Sequence, residues 1–273
     1  MRSPHHTSKI CNLILQVVSV DKRRRRWLYA TMDKPLNLAA GITRGDTLTD
    51  QAEAVLRESL MSGAFRPGQT ITIRALSSLL GVSVTPAKDA MTRLIGERIL
   101  EWGPRRSALV PALTLQSVDE IYTIRLALEP TAAVAAMDNI SEKGIAELRK
   151  IHDRLVTAWD RKNYKNVLIS NRDFHFAIYK RAELPMLLKM IEGMWLRLGP
   201  SLNLLYTTHP RQPTTEREGT GFHSEIITAI EKRNADAVRQ NVVADLITGR
   251  DRLEATVSQQ QPVEVAKKLP ELS

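Results

Sequence analysis

Four polar side chains occupy inward-facing positions on stretches of helical pattern in the second half of the chain. The stretch LISNRDFHFAIYKRA, residues 168–182, places Asn171 and His175 on its apolar stripe, because steps of three and four residues return to one face of a helix. His223 and Asp245 lie on the apolar faces of two later stretches. Buried polar groups without partners cost about 1 to 3 kcal/mol each, so partners are expected. A metal or ligand site on facing helices and a plain hydrogen-bonded cluster are the two alternatives.

A basic residue, Arg125, also falls on an apolar helical stripe. An ion pair with Glu129, four residues later, and a side chain that reaches back to solvent are two explanations of this position. The third is an inward guanidinium, which is suited to bind a small carboxylate. Pro130 is expected to kink the helix just beyond. Trp195 and Arg197 are expected to line the same cavity as Arg125.

The composition is that of an ordinary globular protein. The chain has 273 residues, enough for one large domain or two of usual size, with 43% hydrophobic and 25% charged residues. Cys11 is the only cysteine, which excludes an intrachain disulfide and favours a reducing, cytoplasmic location. Of the formal charge of +9, residues 1–44 carry +7, from nine Lys or Arg against two Asp. The basic total is therefore weak support for nucleic-acid binding.

Residues 1–44 are expected to form a basic, disordered extension. Their apolar run ICNLILQVVSV has eleven residues, too few to cross a bilayer, and DKRRRR follows it where a signal peptide would have a cleavage site. A start upstream of the working protein, which then begins near Met32, is the alternative. No later stretch is long and apolar enough for a transmembrane helix, so we expect no membrane association. Residues 258–273 are expected to be a frayed tail.

Residues 45–112 differ in pattern from the rest of the chain. Their first helix, in TDQAEAVLRESLMSG, is expected to be capped by Thr49 or Asp50 and to end before the Pro-Gly turn of FRPGQTI. Near the end of this region, LEWGPRRSALV contains two short strand patterns around a Gly-Pro turn. This predicts a hairpin with Arg105 and Arg106 at or beside its tip.

Two further short helices are predicted between that first helix and the hairpin. One runs from about residue 73 to residue 80 and ends at Gly81. The next has Thr85 as its N-cap and Pro86 in its first turn, and it ends near Gly96. Two short helices joined by a tight, Gly-containing turn are typical of the helix-turn-helix. With the hairpin, the region is predicted to be a winged helix-turn-helix DNA-binding domain.

This region resembles the DNA-binding domain of the GntR transcription regulators over about 55 residues, from LRESLMSG to RRSALV. The family motif SRTPVRE corresponds to SVTPAKD, and its two basic positions, the usual DNA contacts of the family, are Val84 and Lys88. Lys88 keeps the charge, whereas Val84 cannot donate a hydrogen bond and suits a thymine methyl group. For Ser83 and Thr85 the alternative is helix capping alone, and for the wing arginines it is a solvated turn. The residues expected to contact DNA are Arg74, Ser83, Val84, Thr85, Lys88, Arg105 and Arg106.

Residues 115–257 have a helical pattern throughout, with six amphipathic stretches joined by short loops. This predicts an antiparallel all-α bundle, so the expected fold class is mostly α, a winged helix-turn-helix followed by a helical bundle. The segments IRLALEP, NRDFH, FHSEIITAI and NADAVRQNVVADL resemble the FCD domain of the FadR branch of the GntR family. The resemblance implies an effector-binding and dimerisation domain, and six helices rather than seven favour its VanR-like type.

The same resemblance implies a metal site. Many FCD domains bind a divalent metal through an Asp or Asn, a His four residues later and two further His. Asn171, His175 and His223 match this pattern, and Asp245 stands at the position of the third histidine. Two imidazoles, a carboxylate and an amide oxygen suit zinc, manganese or nickel. A polar cluster without metal stays open, because two of the four positions carry harder oxygen ligands.

The features together predict a ligand-responsive transcription regulator that binds an inverted-repeat operator in double-stranded DNA as a homodimer. The effector is expected to be a small carboxylate that binds beside the metal and meets Arg125 at its other end. A metal-dependent enzyme is one alternative, but the sequence has no Glu-x-x-His pair, no nucleophile beside a base and no Gly-rich phosphate loop. A DNA-binding protein without an effector is the other, and it leaves the polar interior unexplained. His152 and His209 lack polar company and are expected to be ordinary surface or core residues.

Overall fold

The computed structural model of the chain describes residues 47–207 and 222–259. The predicted basic extension, Cys11, His209 and nearly all of the predicted tail lie outside these residues. Helices dominate the described part, with a small sheet near its beginning. The predicted fold class, mostly α with a winged helix-turn-helix before a helical domain, is confirmed.

The described chain divides into two compact units. The first contains the chain up to Ser59 together with Gly68–Pro111, and the second contains Leu60–Pro67 together with the chain from Ala112 onward. The eight residues Leu60–Pro67, expected within the first domain, thus cluster with the second. The two units are described separately below.

Three helices and three short strands form the first unit. The helices are α1 (Leu48–Met61), α2 (Ile73–Leu80) and α3 (Val84–Gly96). Thr72 caps α2 by accepting a hydrogen bond from the Ala75 amide. Gly81 ends α2 with a φ of 66°, a left-handed conformation that glycine adopts without a steric penalty. Helices α2 and α3 are therefore the two helices of the predicted helix-turn-helix.

Asp50, in the first turn of α1, bonds the residue that caps α1 and also joins α1 to α3. The Asp50 amide donates to Thr47 Oγ1 at 3.2 Å, and the Asp50 carboxylate accepts from the Thr47 amide at 3.1 Å. Thr47 is therefore the cap, in a reciprocal capping box, and the prediction of Thr49 or Asp50 as the cap is wrong. The other carboxylate oxygen of Asp50 accepts from Arg93 of α3 at 2.7 Å, and Glu53 accepts from the same arginine nitrogen at 2.9 Å.

Helix α3 begins earlier than predicted. Ser83 occupies its cap position with extended backbone angles, so Thr85, predicted as the cap, lies within the first turn. Pro86 follows in the same turn, where the backbone amides have no helical partner and the missing N–H of proline costs no hydrogen bond.

The sheet contains β1 (Thr70–Ile71), β2 (Glu101–Trp102) and β3 (Ala108–Leu109). The central strand, β3, pairs antiparallel with both neighbours. Strands β2 and β3 are the two arms of the predicted hairpin, and a short 3₁₀ turn, Pro104–Arg106, lies between them. The hairpin is the wing of the domain.

Six long helices and one short helix make up the described part of the second unit. They are α4 (Leu115–Ala136), α5 (Glu142–Asp160), α6 (Tyr164–Tyr179), α7 (Pro185–Leu202), α8 (Leu204–Thr207), α9 (His223–Glu231) and α10 (Ala235–Ser258). The six long helices correspond to the six predicted amphipathic stretches. Among the described helices, none has the length and apolar character needed to cross a membrane.

Helix α4 lies at the centre of the second unit. It contacts α6, α7 and α10, and its buried face joins a single apolar core with those helices. Pro130 lies inside α4, and the helix continues beyond it to Ala136. The polar residues predicted to face inward are on α4, α6, α9 and α10, so this core is where they meet.

Candidate functional site

The first turn of α3 is exposed on one side and buried on the other. Val84 is 51% exposed, and Lys88, one turn later, is also exposed. Pro86 and Ala87 are buried in the core of the unit. In helix-turn-helix domains the N-terminal part of the second helix enters the major groove, and here that part presents its side chains to solvent.

All seven residues predicted to contact DNA are exposed. They belong to α2, the start of α3 and the wing turn: Arg74, Ser83, Val84, Thr85, Lys88, Arg105 and Arg106. The Ser83 side chain makes no capping hydrogen bond, so its hydroxyl is not committed to the helix start. Arg93, near the end of α3, is instead held by two carboxylates of α1. Lys88 is the other basic residue of α3, and its side chain is exposed.

The wing turn holds two arginines in an uncommon backbone conformation. Arg105 and Arg106 have φ angles of 55° and 58°, in the left-handed region that non-glycine residues seldom adopt. The turn is closed by a hydrogen bond from the Gly103 amide to the Ser107 carbonyl at 2.8 Å, and by one from Ser107 Oγ to the Pro104 carbonyl at 2.6 Å. These bonds close the turn that carries both arginines at the tip of the wing.

In the second unit, His175 of α6 meets Asp245 of α10. His175 Nε2 lies 3.2 Å from Asp245 Oδ2, and the Phe222 amide donates to Asp245 Oδ1 at 3.1 Å. The two carboxylate oxygens thus face different partners. Burial alone raises the pKa of Asp245, but its contact with His175 and the hydrogen bond from the Phe222 amide outweigh burial and hold that pKa below its usual range.

His223, at the start of α9, is completely buried. Its ring stacks on that of Phe174, with centroids 3.8 Å apart, and lies 5.1 Å from the ring of His175. Neither ring nitrogen of His223 has a hydrogen-bond partner among the described residues. Burial, reinforced by the charges of His175 and His152, lowers the pKa of His223 to about 3, so its ring is neutral.

The residues present fit a divalent metal. One ligand atom from each of His175, His223 and Asp245 lies within 4.8 Å of the other two. A buried imidazole without a hydrogen-bond partner is an uncommon feature, and a metal ion would satisfy it. Two neutral imidazoles and a carboxylate are a donor set suited to zinc and to other divalent transition metals. Asn171, one turn before His175, lines the adjoining cavity.

Arg125 of α4 faces inward and is paired with Glu129 at the same time. Its Nε donates to Glu129 Oε1 at 2.6 Å and its Nη2 to Oε2 at 3.3 Å. Arg125 is 5% exposed and Glu129 is 0% exposed. Burial alone lowers the pKa of Arg125, but the Glu129 carboxylate outweighs burial and raises that pKa above its ordinary value. The ion pair and the inward guanidinium, predicted as alternatives, occur together.

Two further helices contribute donors to the Glu129 carboxylate. Tyr179 Oη of α6 donates to Oε2 at 2.8 Å, and Trp195 Nε1 of α7 donates to Oε1 at 2.9 Å. The guanidinium of Arg125 also lies over the rings of Tyr122 and Trp195, at 4.8 and 4.7 Å from their centroids. Hydrogen bonds and cation–π contacts therefore fix both charged groups.

A cavity lies between Arg125 and His175. It is small, with a volume of about 80 Å³, and it is partly open to solvent. Polar and aromatic residues lining it include Arg125, Asn171, His175, Trp195, Asp245 and Arg252. The structure thus brings together five residues predicted to hold metal or effector, and it adds Arg252.

Two sequence-based expectations, for Arg197 and His152, differ from the structure. Arg197 is not among the residues that line the cavity, and its guanidinium donates to the Gly193 carbonyl of its own helix at 2.9 Å. His152 has polar company after all, because its ring lies 5.8 Å from that of His223 and its Nε2 is 3.0 Å from Ser224 Oγ.

Comparison with known proteins agrees with both units. The family model "Bacterial regulatory proteins, gntR family" matches residues 48–110, and the model "FCD domain" matches residues 120–247. The first match covers the winged unit, and the second covers the helices that carry the polar cluster. The match to the FCD domain includes every residue predicted to bind metal or effector.

Individual relatives are regulators of the same kind rather than enzymes. The HTH-type transcriptional regulator McbR of Escherichia coli strain K12 is 32% identical over 193 residues, which cover 71% of this chain and 86% of McbR. The HTH-type transcriptional regulator YdhC of Bacillus subtilis strain 168 is 28% identical over 190 residues, covering 69% and 83%. The solved structure of E. coli McbR/YncC matches with a TM-score of 0.70 at 31% identity, covering 79% of this chain and 99% of that one. The chain therefore belongs to the GntR family of DNA-binding transcriptional regulators, in the FadR-like branch that carries an FCD domain.

Proposed function

We propose that the protein is a ligand-responsive regulator whose affinity for an inverted-repeat operator changes when a small carboxylate binds beside a divalent metal in its FCD domain. The observation that carries this proposal is the group formed by His175, His223 and Asp245, whose ligand atoms lie within 4.8 Å of one another. A second supporting observation is the cavity beside that group, lined by Arg125 and Asn171.

The exposed side chains of the winged unit support sequence-specific reading of double-stranded DNA. Lys88, Arg105 and Arg106 are exposed. Lys88 is the side chain proposed to read base edges in the major groove, and the two arginines are proposed to contact phosphates or the minor groove. One such domain buries too little surface for specific affinity. Two copies on an inverted repeat double the contact area, which is the basis for proposing a homodimer.

The charges of the cavity favour an anionic effector. The Glu129 carboxylate neutralises Arg125, so these two residues together contribute no net charge. A divalent metal held by Asp245 and two neutral imidazoles would leave a net positive charge, which a carboxylate oxygen on the metal would reduce. Only Nε and Nη2 of Arg125 bond Glu129, so Nη1 is the guanidinium nitrogen assigned to the other end of the effector.

The proposal is tested first by DNA selection and metal content. Protein purified without chelators is expected to contain about one equivalent of zinc, manganese or nickel per chain, and to select an inverted repeat from a random DNA pool with an affinity that falls steeply as salt rises. Protein that selects no sequence contradicts the operator reading. Protein without metal, also after incubation with each of the three ions, contradicts the metal reading.

The effector is tested by fluorescence anisotropy on the selected operator. A panel of small mono-, di- and tricarboxylates is titrated into metal-loaded and chelator-treated protein. At least one compound is expected to change operator affinity, and only in the loaded protein. His175→Ala should abolish the response, whereas His152→Ala, which removes a neighbouring histidine outside the donor set, should preserve it. A response of equal size in the chelated protein would show that the effector binds without metal.

A further inference from the structure

Tyr179 lies between two groups of side chains. One is the group formed by His175, His223 and Asp245, and the other is the Arg125–Glu129 ion pair. Its Oη lies 2.8 Å from Glu129 Oε2 on one side and 3.1 Å from His175 Nδ1 on the other. Tyr179 follows His175 by one helical turn on α6, so both side chains lie on one face of that helix. The Tyr179 hydroxyl is buried, and it is not one of the ligand atoms of His175, His223 and Asp245 that could bind a metal.

The direction of the bond between Tyr179 and Glu129 is fixed by chemistry. Both oxygens of the buried Glu129 carboxylate accept hydrogen bonds from N–H groups of Arg125, so the carboxylate acts as the acceptor toward Tyr179 as well. The single hydroxyl proton of Tyr179 is therefore used toward Glu129. Arg125 and Trp195 donate to the same carboxylate and hold Glu129 in place. Tyr179 therefore stays the donor in its hydrogen bond with Glu129.

The direction of this hydrogen bond determines which ring nitrogen of His175 carries the hydrogen. Because Tyr179 has no second proton, its oxygen can only accept from His175 Nδ1, so Nδ1 carries the hydrogen. We propose that Tyr179 is the positioning residue that fixes the Nδ1–H tautomer of His175, so that Nε2 is the nitrogen that binds the metal. This inference rests on the proposed metal site.

The geometry at the other ring nitrogen agrees with this assignment. His175 Nε2 faces Asp245 Oδ2 at 3.2 Å. Two ligand atoms at about 2.1 Å from one metal, at angles near tetrahedral, are about 3.4 Å apart, so the observed spacing suits two donors to one ion. Metal-bound histidines generally donate their second N–H to an outer partner that fixes the ring and increases its basicity. Here that partner is a tyrosine hydroxyl whose own proton is directed by a buried carboxylate.

The test compares Tyr179→Phe with a matched hydroxyl deletion on the same helix. Tyr164→Phe is the control, because Tyr164 packs against Tyr206 and is outside the cluster and the cavity lining. Zinc affinity of the full chain is measured by competition with a chromophoric chelator. Removal of such an outer partner typically weakens metal binding 10- to 100-fold, so Tyr179→Phe should lose about that much while Tyr164→Phe stays within about threefold of wild type. If the Tyr179→Phe variant binds zinc with the same affinity as the wild type, the inference is overturned.

A second readout uses the wild-type protein and needs no variant to fold. In zinc-loaded protein labelled with ¹⁵N-histidine, His175 should show a protonated Nδ1 and a zinc-bound Nε2. Zinc on Nδ1 of His175 would refute the role of Tyr179 while leaving the metal site itself intact. Absence of zinc binding in the wild type would instead refute the metal site, so failure of the two proposals is distinguished.

Discussion

The Glu129 carboxylate accepts hydrogen bonds from both Nε and Nη2 of Arg125, and neither residue has appreciable contact with solvent. The two residues are one turn apart on α4, and Tyr179 and Trp195 complete the shell of the carboxylate from two other helices. A buried ion pair is sensitive to loss of either partner, because the remaining charge is left uncompensated.

Glu129→Gln should therefore destabilise the protein by about 3 to 5 kcal/mol, the usual cost of breaking a buried pair. Urea unfolding at neutral pH measures the change. Glu231→Gln is the matched control, because Glu231 pairs with Arg149 in a partly exposed ion pair and its loss should cost less than about 1 kcal/mol. Equal losses in the two variants would mean that the buried pair contributes no more than an exposed one.

The spacing of this pair could be predicted from the sequence, but its surroundings could not. A separation of four residues brings Arg125 and Glu129 together on any helix, whatever the fold. Tyr179 and Trp195 are 50 and 66 residues from Glu129. Their contact with it depends on how α6 and α7 pack on α4, which helical periodicity does not specify.

The histidines illustrate the same limit. Periodicity placed His175 and His223 on inward faces correctly, since both are buried. His152 gave no such signal, and it approaches His223 only because α5 packs against α9. Helix ends were predicted less well than helix faces, because a capping box depends on two side chains adopting particular rotamers, as at Thr47.

Asp50 leads to a pH-dependent prediction for the winged unit. Hydrogen bonds from Thr47 and then Arg93 lower the pKa of the Asp50 carboxyl from its ordinary value to about 2. A carboxylate whose pKa is lower in the folded than in the unfolded protein stabilises the fold at pH values above its unfolded pKa. This stabilisation is lost as pH falls toward the folded pKa, here between about pH 4 and pH 2. Asp50→Asn should lower the melting temperature at pH 6, and the difference from wild type should shrink below pH 4. Asp89→Asn, an exposed aspartate of α3, controls for the change in net charge; a difference that does not depend on pH would contradict the assignment.

Lys88 and Arg106 should differ in the kind of DNA binding that they support. Lys88→Ala is expected to weaken operator binding by about 1 to 3 kcal/mol and to relax the preference at one base pair in each half-site, because Lys88 is exposed on α3 and is proposed to contact a base edge. Arg106→Ala should weaken binding with little change in sequence preference and should reduce the salt dependence, as expected for a phosphate contact. Anisotropy on single-base operator variants at two salt concentrations separates the two patterns. The reverse assignment, with Arg106 reading a base, would appear as a position-specific loss in the Arg106→Ala variant.

Val84 should give the operator a base preference unlike that of relatives with arginine at this position. Its side chain is 51% exposed in the first turn of α3 and can pack on a thymine methyl group but cannot donate a hydrogen bond. Val84→Arg is therefore expected to shift the selected base toward guanine at one position in each half-site. Repeated selection from a random pool compares the two consensus sequences, with Thr92→Arg as a control for added charge near the end of the exposed face. An unchanged consensus would mean that position 84 does not face the bases.

Metal removal should destabilise the FCD domain selectively. The unfolded chain has no preformed site, so a bound ion stabilises the fold by mass action, by about 2.7 kcal/mol at a free concentration of 100 times Kd and about 4.1 kcal/mol at 1,000 times Kd. For a unit of this size, each kcal/mol corresponds to about 2 to 4 °C, so a strong chelator should lower the melting temperature by roughly 5 to 15 °C. His175→Ala should melt at a lower temperature than wild type and should no longer respond to added zinc, whereas His152→Ala should still respond. The winged unit should stay folded under chelator, as judged by residual binding to the operator at low salt. Identical melting of the wild type with chelator and with zinc, manganese or nickel would identify the buried residues as a hydrogen-bonded pocket that binds its ligand without metal.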